Sequence, residues 1–533
     1  MSKRDQQLRS GQPLTHDGLD LLLALVLLVG VYKAFGPVRA GAALAVLAIA
    51  GLCWLQIHRR PDGFATRVEL RRALTVKAAR RRSPVTLPLG RAVGHLRTQL
   101  AVAAEDSVLV LAAPRQGKTS QVIIPWLTDW PGPALVTSIR TDELTTTAIL
   151  RQERGPVAVL APTGMVSWPD QVRWSPTTGC VDLDTARRRA SVLVTVGQAE
   201  KQDSSNAGYF SSNAINLVTL WHHAADVAGL GMHDVLKWSL DERDDTPVTL
   251  LRDHPNAAPG AAELADALYR TPPETRSGLW TTAATALAPL LSPAAQAVFC
   301  PEPGEPSFDP AAFLRSNGTV YVLVDGERAR ALAPLITVLF DELLDVAKRA
   351  ADASPGGRLS PPLAIFGDEI ANVTPHPQLP GLMSYAGGSG IFTTVVFQSK
   401  AQAEQRFGHD QAAMIWGAAT VKLVLGGLAG PELRELSDLA GEHDHTENGR
   451  QTHPDGSVTT STSSQRRRVL EPAAIRTLRP DRREALVIHA TTPAVTVRMT
   501  RHYEGPNRRR HVAAEREARR IIEATQKADT DAT

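Results

Sequence analysis

Residues 107–121, SVLVLAAPRQGKTSQ, decide the fold. The apolar run Val108 to Leu111 leads into a short turn, and Gly117, Lys118 and Thr119 open a helix that continues QVIIPWL. A buried strand, a tight loop and a helix N-terminus form a cradle in which loop amides and the positive end of the helix dipole face an anion. Pro114, Arg115, Gln116, Gly117, Lys118, Thr119 and Ser120 are the candidate phosphate-binding residues. At this spacing the Lys118 ammonium reaches the β and γ phosphates of a nucleotide, and the Thr119 hydroxyl holds Mg2+.

The loop departs from the G-x4-G-K-[ST] pattern at one place: Ala112 stands where the first glycine belongs. A left-handed backbone there would cost alanine about 1–2 kcal/mol, whereas a negative φ costs almost nothing. Pro114 removes one amide donor, but the donors nearest the phosphates, Gln116 to Thr119, remain. A bare GKT also occurs by chance at ordinary strand-to-helix turns; the flanking strand and helix favour the cradle.

A chain of 533 residues has room for two or three domains. A net charge of only +3 means that any nucleic-acid surface must come from local clustering. Cys53, Cys180 and Cys300 are far apart, which speaks against a disulfide framework or a zinc site and suits a reducing compartment. Near the N-terminus, residues 19–35 (LDLLLALVLLVGVYKAF) and 40–57 (AGAALAVLAIAGLCWLQI) are each apolar enough to span roughly 26 Å as helix. Gly36 and Pro37 separate them, predicting a two-helix transmembrane hairpin over residues 1–60. Arg59, Arg60, Arg67, Arg71, Arg72, Lys77, Arg80, Arg81 and Arg82 follow, so the positive-inside rule puts both termini and the bulk of the chain in the cytoplasm, on a cell inner or plasma membrane.

Beyond the cradle, ALVTSI (134–139), VAVLA (157–161), TVYVLV (319–324), TTVVFQS (393–399), VKLVLGG (421–427) and EALVIHA (484–490) read as buried strands separated by helices. Residues 183–291 instead show helical periodicity rich in alanine. The expected fold class is therefore α/β, a doubly wound sheet interrupted by an inserted all-helical domain. The expected boundaries are 61–185 and 313–505 for the two parts of the nucleotide-binding domain, 186–312 for the insertion and 506–533 for a C-terminal tail. The tail reads as a solvated appendage, and the Ser/Thr-rich stretch 446–468 as a mobile loop or β-excursion. Trp221, His222 and His223 read as packing and surface residues, and His443, Asp444 and His445 as solvated side chains without a metal.

Leu363 to Phe366 is apolar and ends in Gly367, Asp368 and Glu369. A carboxylate at the end of a buried strand suits Asp368 to the metal, through water, and Glu369 to polarising a water against the γ-phosphate as general base. Alone, an acidic pair more often marks a solvated strand end; together with the cradle it is much stronger. Gln398 ends the TTVVFQ strand, where it either senses the γ-phosphate or caps the strand. The candidate catalytic residues are thus Glu369, Lys118 and Gln398, with Thr119 and Asp368 at the metal.

With these residues in place the chain resembles the type IV secretion coupling proteins, the VirD4/TraG/TraD family of conjugative DNA-transfer ATPases. GDEIANV (367–373) is similar to that family's LDEFANL, and QSKAQAEQRFG (398–408) to its QSLAQLEERYG. Gly426, Gly427, LSDLAGEHDHT (436–446) and LEPAAIRTL (470–478) extend the resemblance. It implies a RecA-like P-loop NTPase domain, ATP and Mg2+ as cofactors, and a homo-hexamer. It also implies that a relaxase–DNA substrate is recruited to secretion-channel proteins at the cell membrane. It further implies contact with single-stranded DNA, which would be non-specific and salt-sensitive. One departure stands out: Gly387, Gly388 and Ser389 occupy places where the family often carries the arginines of a finger worth about 10³–10⁵ in rate. Arg406, Arg328 and Arg330 are alternative sources of that charge. Two other readings stay open: a chromosome-segregating or protein-exporting motor of the FtsK/HerA kind, and a membrane platform that binds nucleotide without useful turnover.

Overall fold

β3 (Val108–Leu111) is a fully buried strand whose side chains alternate between two cores. Leu109 and Leu111 pack on one face of the sheet, and Val108, Val110 and Ala112 on the other. Burial on both faces is what a continuous apolar run demands. The structure, a computed structural model, describes residues 63–95, 98–198, 207–302, 305, 307–452 and 458–532, together with residue 51. The chain divides into two units, and the larger, Asp62–Ala65 with Glu69–Thr533, holds every element discussed below. The apolar runs 19–35 and 40–57 lie outside the described residues apart from Gly51. Among the described residues no single helix is long and apolar enough to cross a membrane.

The strands are β1 (Thr86–Ala92), β2 (Gln99–Ala103), β3, β4 (Ala134–Ser138), β5 (Val157–Leu160), β6 (Thr319–Leu323), β7 (Leu363–Gly367), β8 (Ile391–Phe397), β9 (Val421–Val424), β10 (Glu442–Thr452), β11 (Val458–Arg468), β12 (Glu484–His489) and β13 (Thr492–Arg498). Eleven of them form one sheet in the order β2-β1-β13-β12-β9-β3-β8-β7-β4-β6-β5. From β9 to β5 all neighbours are parallel, whereas β12, β13, β1 and β2 extend the sheet in antiparallel fashion. The parallel strands, together with the antiparallel β12, are those whose apolar runs the sequence displays. β1, β2 and β13 carry Gly, Pro, Gln or Arg among their residues and give no such signal.

β7, β8 and β3 are consecutive neighbours, so their C-terminal ends converge. In doubly wound sheets that edge is where ligands bind. Between β5 and β6 the chain is helical, from Leu183–Gly197 through Ala207–Val227 and Pro273–Leu287 to Pro310–Arg315. This helical region is pinned to the long helix Ala329–Asp352 by Arg188 and Arg189, which pair with Asp341 and Glu342. His222 and His223 are wholly buried there, not at the surface. His223 contacts Cys180 O at 2.8 Å through Nδ1, and its Nε2 accepts from Ala258 N at 2.8 Å. Burial lowers His222 to a pKa of about 3.

Of two further segments, the first takes the β-excursion alternative and the second differs from expectation. Residues 442–452 and 458–468 form a two-stranded ribbon, β10 against β11, paired residue for residue from Glu442 with Arg468 to Thr452 with Val458. The alternating Ser and Thr of β11 are compatible with strand geometry. The C-terminal tail is not a solvated appendage. Its helix, Arg508–Ala532, runs along the helix Asp142–Gln152 and buries His511, Ala514 and Ala518. The buried positions are one histidine and two small alanines in a strongly charged sequence, so the apolar stripe is hard to see.

Candidate functional site

The loop after β3 folds as its residues require. Ala112 is buried, and its N–H donates to Phe397 O at 3.1 Å. Among the described non-glycine residues only Arg115, Asn317, Glu369 and Arg483 have positive φ, so alanine is unstrained at 112 and the missing glycine has no backbone cost. The tight part of the turn lies further on, at Arg115 (φ 65°) and Gly117 (φ 88°). At Gly117 a Cβ would stand 2.3 Å from Gln121 Nε2, which bonds Gln116 O at 3.0 Å. Pro114 and Arg115 are exposed at the crest, while Gln116 to Ser120 are half-buried. Ser120 Oγ donates to Gly117 O at 3.2 Å, closing the first turn. The helix starts as a π-turn, Thr119–Ile123, before the α-helical Ile124–Asp129. Such turns are often found at functional sites.

β7 delivers Asp368 and Glu369 opposite this loop. Lys118 Nζ lies 2.9 Å from Asp368 Oδ1 and 2.6 Å from Glu369 Oε1. Thr119 Oγ1 donates to Asp368 Oδ2 at 3.2 Å. Burial works against the charge of Glu369, but the Lys118 ammonium and hydrogen bonds from Lys118, Gln398 and Gln402 outweigh it and hold the carboxyl below its usual range. The same burial would lower Lys118, yet Asp368 and Glu369 raise it overall. Lys118, Thr119, Asp368, Glu369 and Gln398, expected from the sequence, are therefore in direct contact.

Several residues beyond that expectation complete the cluster. Glu369 sits in the left-handed region (φ 55°, ψ 32°), an uncommon and strained setting for a non-glycine residue. Its carboxylate is gripped from three more sides. Gln398 Nε2 donates to Oε1 at 2.7 Å, while Asn372 Nδ2 at 3.2 Å and Gln402 Nε2 at 3.4 Å donate to Oε2. Gln402 also accepts from Gln398 N at 2.8 Å, and Ser399 caps the helix Lys400–Phe407 by accepting from Gln402 N at 3.2 Å. These contacts explain the DE-x-AN and QS-x-AQ spacings. Asn372 lies three residues beyond Glu369 on a helical turn, and Gln402 lies four beyond Gln398. Thr137 Oγ1 on β4 donates to the Asp368 carbonyl at 2.8 Å, and nothing in the sequence signals that contact. Glu143 is buried, accepts from Ser138 Oγ at 2.9 Å, and is raised well above the usual range by burial and by the nearby Asp368.

A Thr hydroxyl beside a carboxylate is a hard-oxygen donor set that suits Mg2+, and Thr119 with Asp368 supplies it. Gly427 (φ 85°) closes the other side of the loop, where a Cβ would stand 2.9 Å from Ala113 Cβ and Gln116 Nε2. The segment 387–389 has a physical reason for lacking side chains at its start: a Cβ on Gly387 would be 2.1 Å from Glu105 O. An arginine does stand beside this segment. Arg358 Nη1 bonds Glu105 Oε1 at 2.6 Å, and the next residue, Leu359, donates its N–H to Ser389 O at 3.0 Å. Arg328 pairs with Asp325 at 3.2 Å on the exposed surface.

Residues 362–480, which hold Asp368, Glu369, Gln398 and Gly427, match the family model described as the TraM recognition site of TraD and TraG. No curated protein matches the chain by sequence. Among solved structures, the bacterial conjugative coupling protein TrwBΔN70 in its unbound monoclinic form is similar with a TM-score of 0.58 at 18% identity, over 80% of this chain and 91% of that one. TrwB in complex with ADP and Mg2+ aligns with a TM-score of 0.56 at 18% identity, over 80% and 92%. TrwB with the non-hydrolysable ATP analogue ADPNP aligns with a TM-score of 0.57 at 16% identity, over 84% and 96%. The mixed α/β fold with its large, mostly parallel sheet is thus shared with a conjugative coupling protein.

Proposed function

We propose that this chain is a coupling ATPase of conjugative type IV secretion, which uses ATP to bring a relaxase–DNA substrate to a membrane channel. One observation carries the reading. The ends of β3, β7 and β8 place a phosphate cradle, a metal-binding pair and a held glutamate in contact, inside a chain with TrwB's fold and a TraG/TraD family match. The family match also supports relaxosome proteins as partners.

ATP phosphates would lie against the amides of Gln116 to Ser120, with the Lys118 ammonium turning from the carboxylates to the phosphates. Mg2+, held by Thr119 and Asp368, would neutralise charge on the phosphate oxygens. Once Lys118 engages phosphate, Glu369 loses the cation that depresses its pKa and becomes a better proton acceptor for the attacking water. Gln398, Gln402 and Asn372 keep its carboxylate aimed. Gln398, bonded to Glu369 and starting the segment that leads into the helix Lys400–Phe407, is placed to report loss of the γ-phosphate to that helix.

DNA would be held through its phosphates, and the protein would work as a hexamer anchored by residues 1–60 with its bulk on the cytoplasmic side. Gly387 favours a second reading, a nucleotide-binding platform with little turnover, because its close approach to Glu105 excludes a finger side chain there. Measuring ATP turnover of the full chain with and without single-stranded DNA separates the two. DNA-stimulated hydrolysis that weakens steeply with salt supports the motor. Tight ATP binding with no DNA-dependent turnover supports the platform and overturns the motor.

A further inference from the structure

The edge of the large sheet carries a surface that the nucleotide site leaves unused. β2 is the outermost strand on that side, and the chain just before β1 covers its free edge. Ala101 donates its N–H to Leu74 O at 2.8 Å and Leu100 bridges Thr75, at the junction of two short helices, Arg67–Ala73 and Val76–Arg82. Thr75 Oγ1 caps the second helix by accepting from Ala78 N at 3.4 Å. The inward residues are apolar: Leu70 and Leu74 are wholly buried, and Ala79 packs on Ala101 and Ala103 of β2.

The outward residues are cationic. Arg71, Arg72, Lys77, Arg80 and Arg81 are all exposed, and none of them forms an ion pair among the described residues. Arg82 instead turns back to Asp106 at 3.0 Å. Residues 69–82 hold six lysines and arginines against one glutamate, a larger excess than the net +3 of the whole chain. Neither helix contains an aromatic residue.

β1 and β13 add two more guanidinium groups on the same face of the sheet. Leu100 and Val102 point into the core, so Gln99, Ala101 and Ala103 lie on the face that Val76–Arg82 covers. Arg91 stands opposite Gln99, and Arg498 opposite Arg91. Both arginines are exposed and without an ion pair among the described residues, and Glu484, across from Arg498 on β12, does not pair with it. Like charges directly across two strands destabilise the pairing, and an anion in front of them removes that cost.

We propose that Arg71, Arg72, Lys77, Arg80 and Arg81, together with Arg91 and Arg498, form a docking face for the headgroups of anionic phospholipids. The inference rests on the membrane-anchored reading and adds to it a second contact, made by the folded domain. The positive-inside rule concerns how a chain enters the bilayer; this face sets where the folded sheet then lies, and its strength depends on lipid charge and salt. The second apolar run ends at residue 57, and residues 58–66 reach about 30 Å at most, so the face stays within tether range of the headgroups. Clusters of about four to eight Lys and Arg just cytoplasmic of a membrane span are what an anionic leaflet attracts. Single-stranded nucleic acid offers the same phosphate, but it is held on aromatic platforms under its bases, which these helices lack.

The full chain is reconstituted in nanodiscs of phosphatidylcholine alone and of phosphatidylcholine with phosphatidylglycerol, and phenylglyoxal labelling of its arginines is mapped by mass spectrometry. Arg243, exposed in the helical region, serves as the reference. Labelling of Arg71, Arg72, Arg80 and Arg81 is expected to slow by about fivefold or more with phosphatidylglycerol and to recover in high salt, while Arg243 is unchanged. Arg91 is expected to follow them, and to lose its lipid dependence in the combined variant Arg71→Gln, Arg72→Gln, Arg80→Gln, Arg81→Gln. Equal labelling in the two discs, slowing that Arg243 shares, or lipid dependence of Arg91 that survives in the variant overturns the inference. So does protection by single-stranded DNA in phosphatidylcholine discs that matches the effect of phosphatidylglycerol, which would assign the face to nucleic acid. Alkaline carbonate tests the anchor separately: a chain that it strips from the discs overturns the hairpin, and salt-reversible protection by phosphatidylglycerol still upholds the face.

Discussion

Replacing Lys118 by alanine removes the cation that pairs with Asp368 and Glu369, whose side chains are each 5% exposed. Taking one partner from a buried ion pair costs about 3–5 kcal/mol. The lower end applies here, because Gln398, Gln402 and Asn372 still donate to Glu369. In a unit this large 1 kcal/mol is worth about 1 °C, so the melting temperature should fall by about 3 °C at pH 8. The sign of the pH dependence follows from the shifts. Glu369 is depressed in the native protein, so its contribution is complete above about pH 4.3 and is lost as pH falls through its lower folded pKa. Lys118 is raised, so its contribution is complete below about pH 10.4 and is lost only above that. The contributions of Glu369 and Lys118 are therefore constant between about pH 5.5 and 8. In the variant two buried carboxylates face each other, and one takes up a proton as the pH falls. Each unit by which its pKa is raised returns about 1.4 kcal/mol on acidification. Thermal melts of both proteins followed by circular dichroism at the two pH values read this directly. The deficit should be smaller by about 1–2 kcal/mol at pH 5.5 than at pH 8. A deficit that is equal at both, or larger at pH 5.5, would refute the electrostatic reasoning.

The remaining predictions concern the shell around the cradle. Gly427→Ala forces a left-handed alanine, costing about 1–2 kcal/mol, and drives its methyl against Ala113 and Gln116. ATP titration should show affinity reduced by about tenfold, whereas an unchanged affinity would show that the loop yields freely. Gln402→Ala frees both Glu369 Oε2 and the Gln398 amide from one of their partners. Steady-state kinetics should show turnover lowered by about tenfold with ATP affinity preserved, and a loss confined to affinity would place Gln402 in substrate binding instead.

What the sequence displays and what it hides have physical causes. Val108–Leu111, Leu363–Gly367 and Ile391–Phe397 are legible because strands buried on both faces must be apolar throughout, and Pro or Gly bounds them. Asp368, Glu369 and Gln398 are legible because they directly follow the ends of such strands, and Lys118 and Thr119 because they lie where the loop after such a strand opens into a helix. Asn372 and Gln402 lie within the stretches that carry the family resemblance, yet their roles depend on how two helical turns meet across Glu369. Thr137 and Glu143 touch or approach Asp368 only because β4 pairs with β7, a contact across more than two hundred residues of chain. The antiparallel extension is hidden because β1, β2 and β13 include exposed or polar positions. The docking of the C-terminal helix is hidden because its contact surface is made of Ala514 and Ala518, flanked by arginines and glutamates that read as solvated.

The central claim is that Glu369 acts on a nucleotide held by Lys118 and Thr119. The most direct test measures ATP affinity and turnover of the full chain beside Glu369→Gln, which keeps the side chain's shape and removes its basicity. The account predicts that the variant binds Mg2+-ATP as tightly as the wild type, or more tightly, while turnover falls by about 10²–10⁴. Turnover that survives the substitution, or ATP binding that disappears with it, would contradict the account.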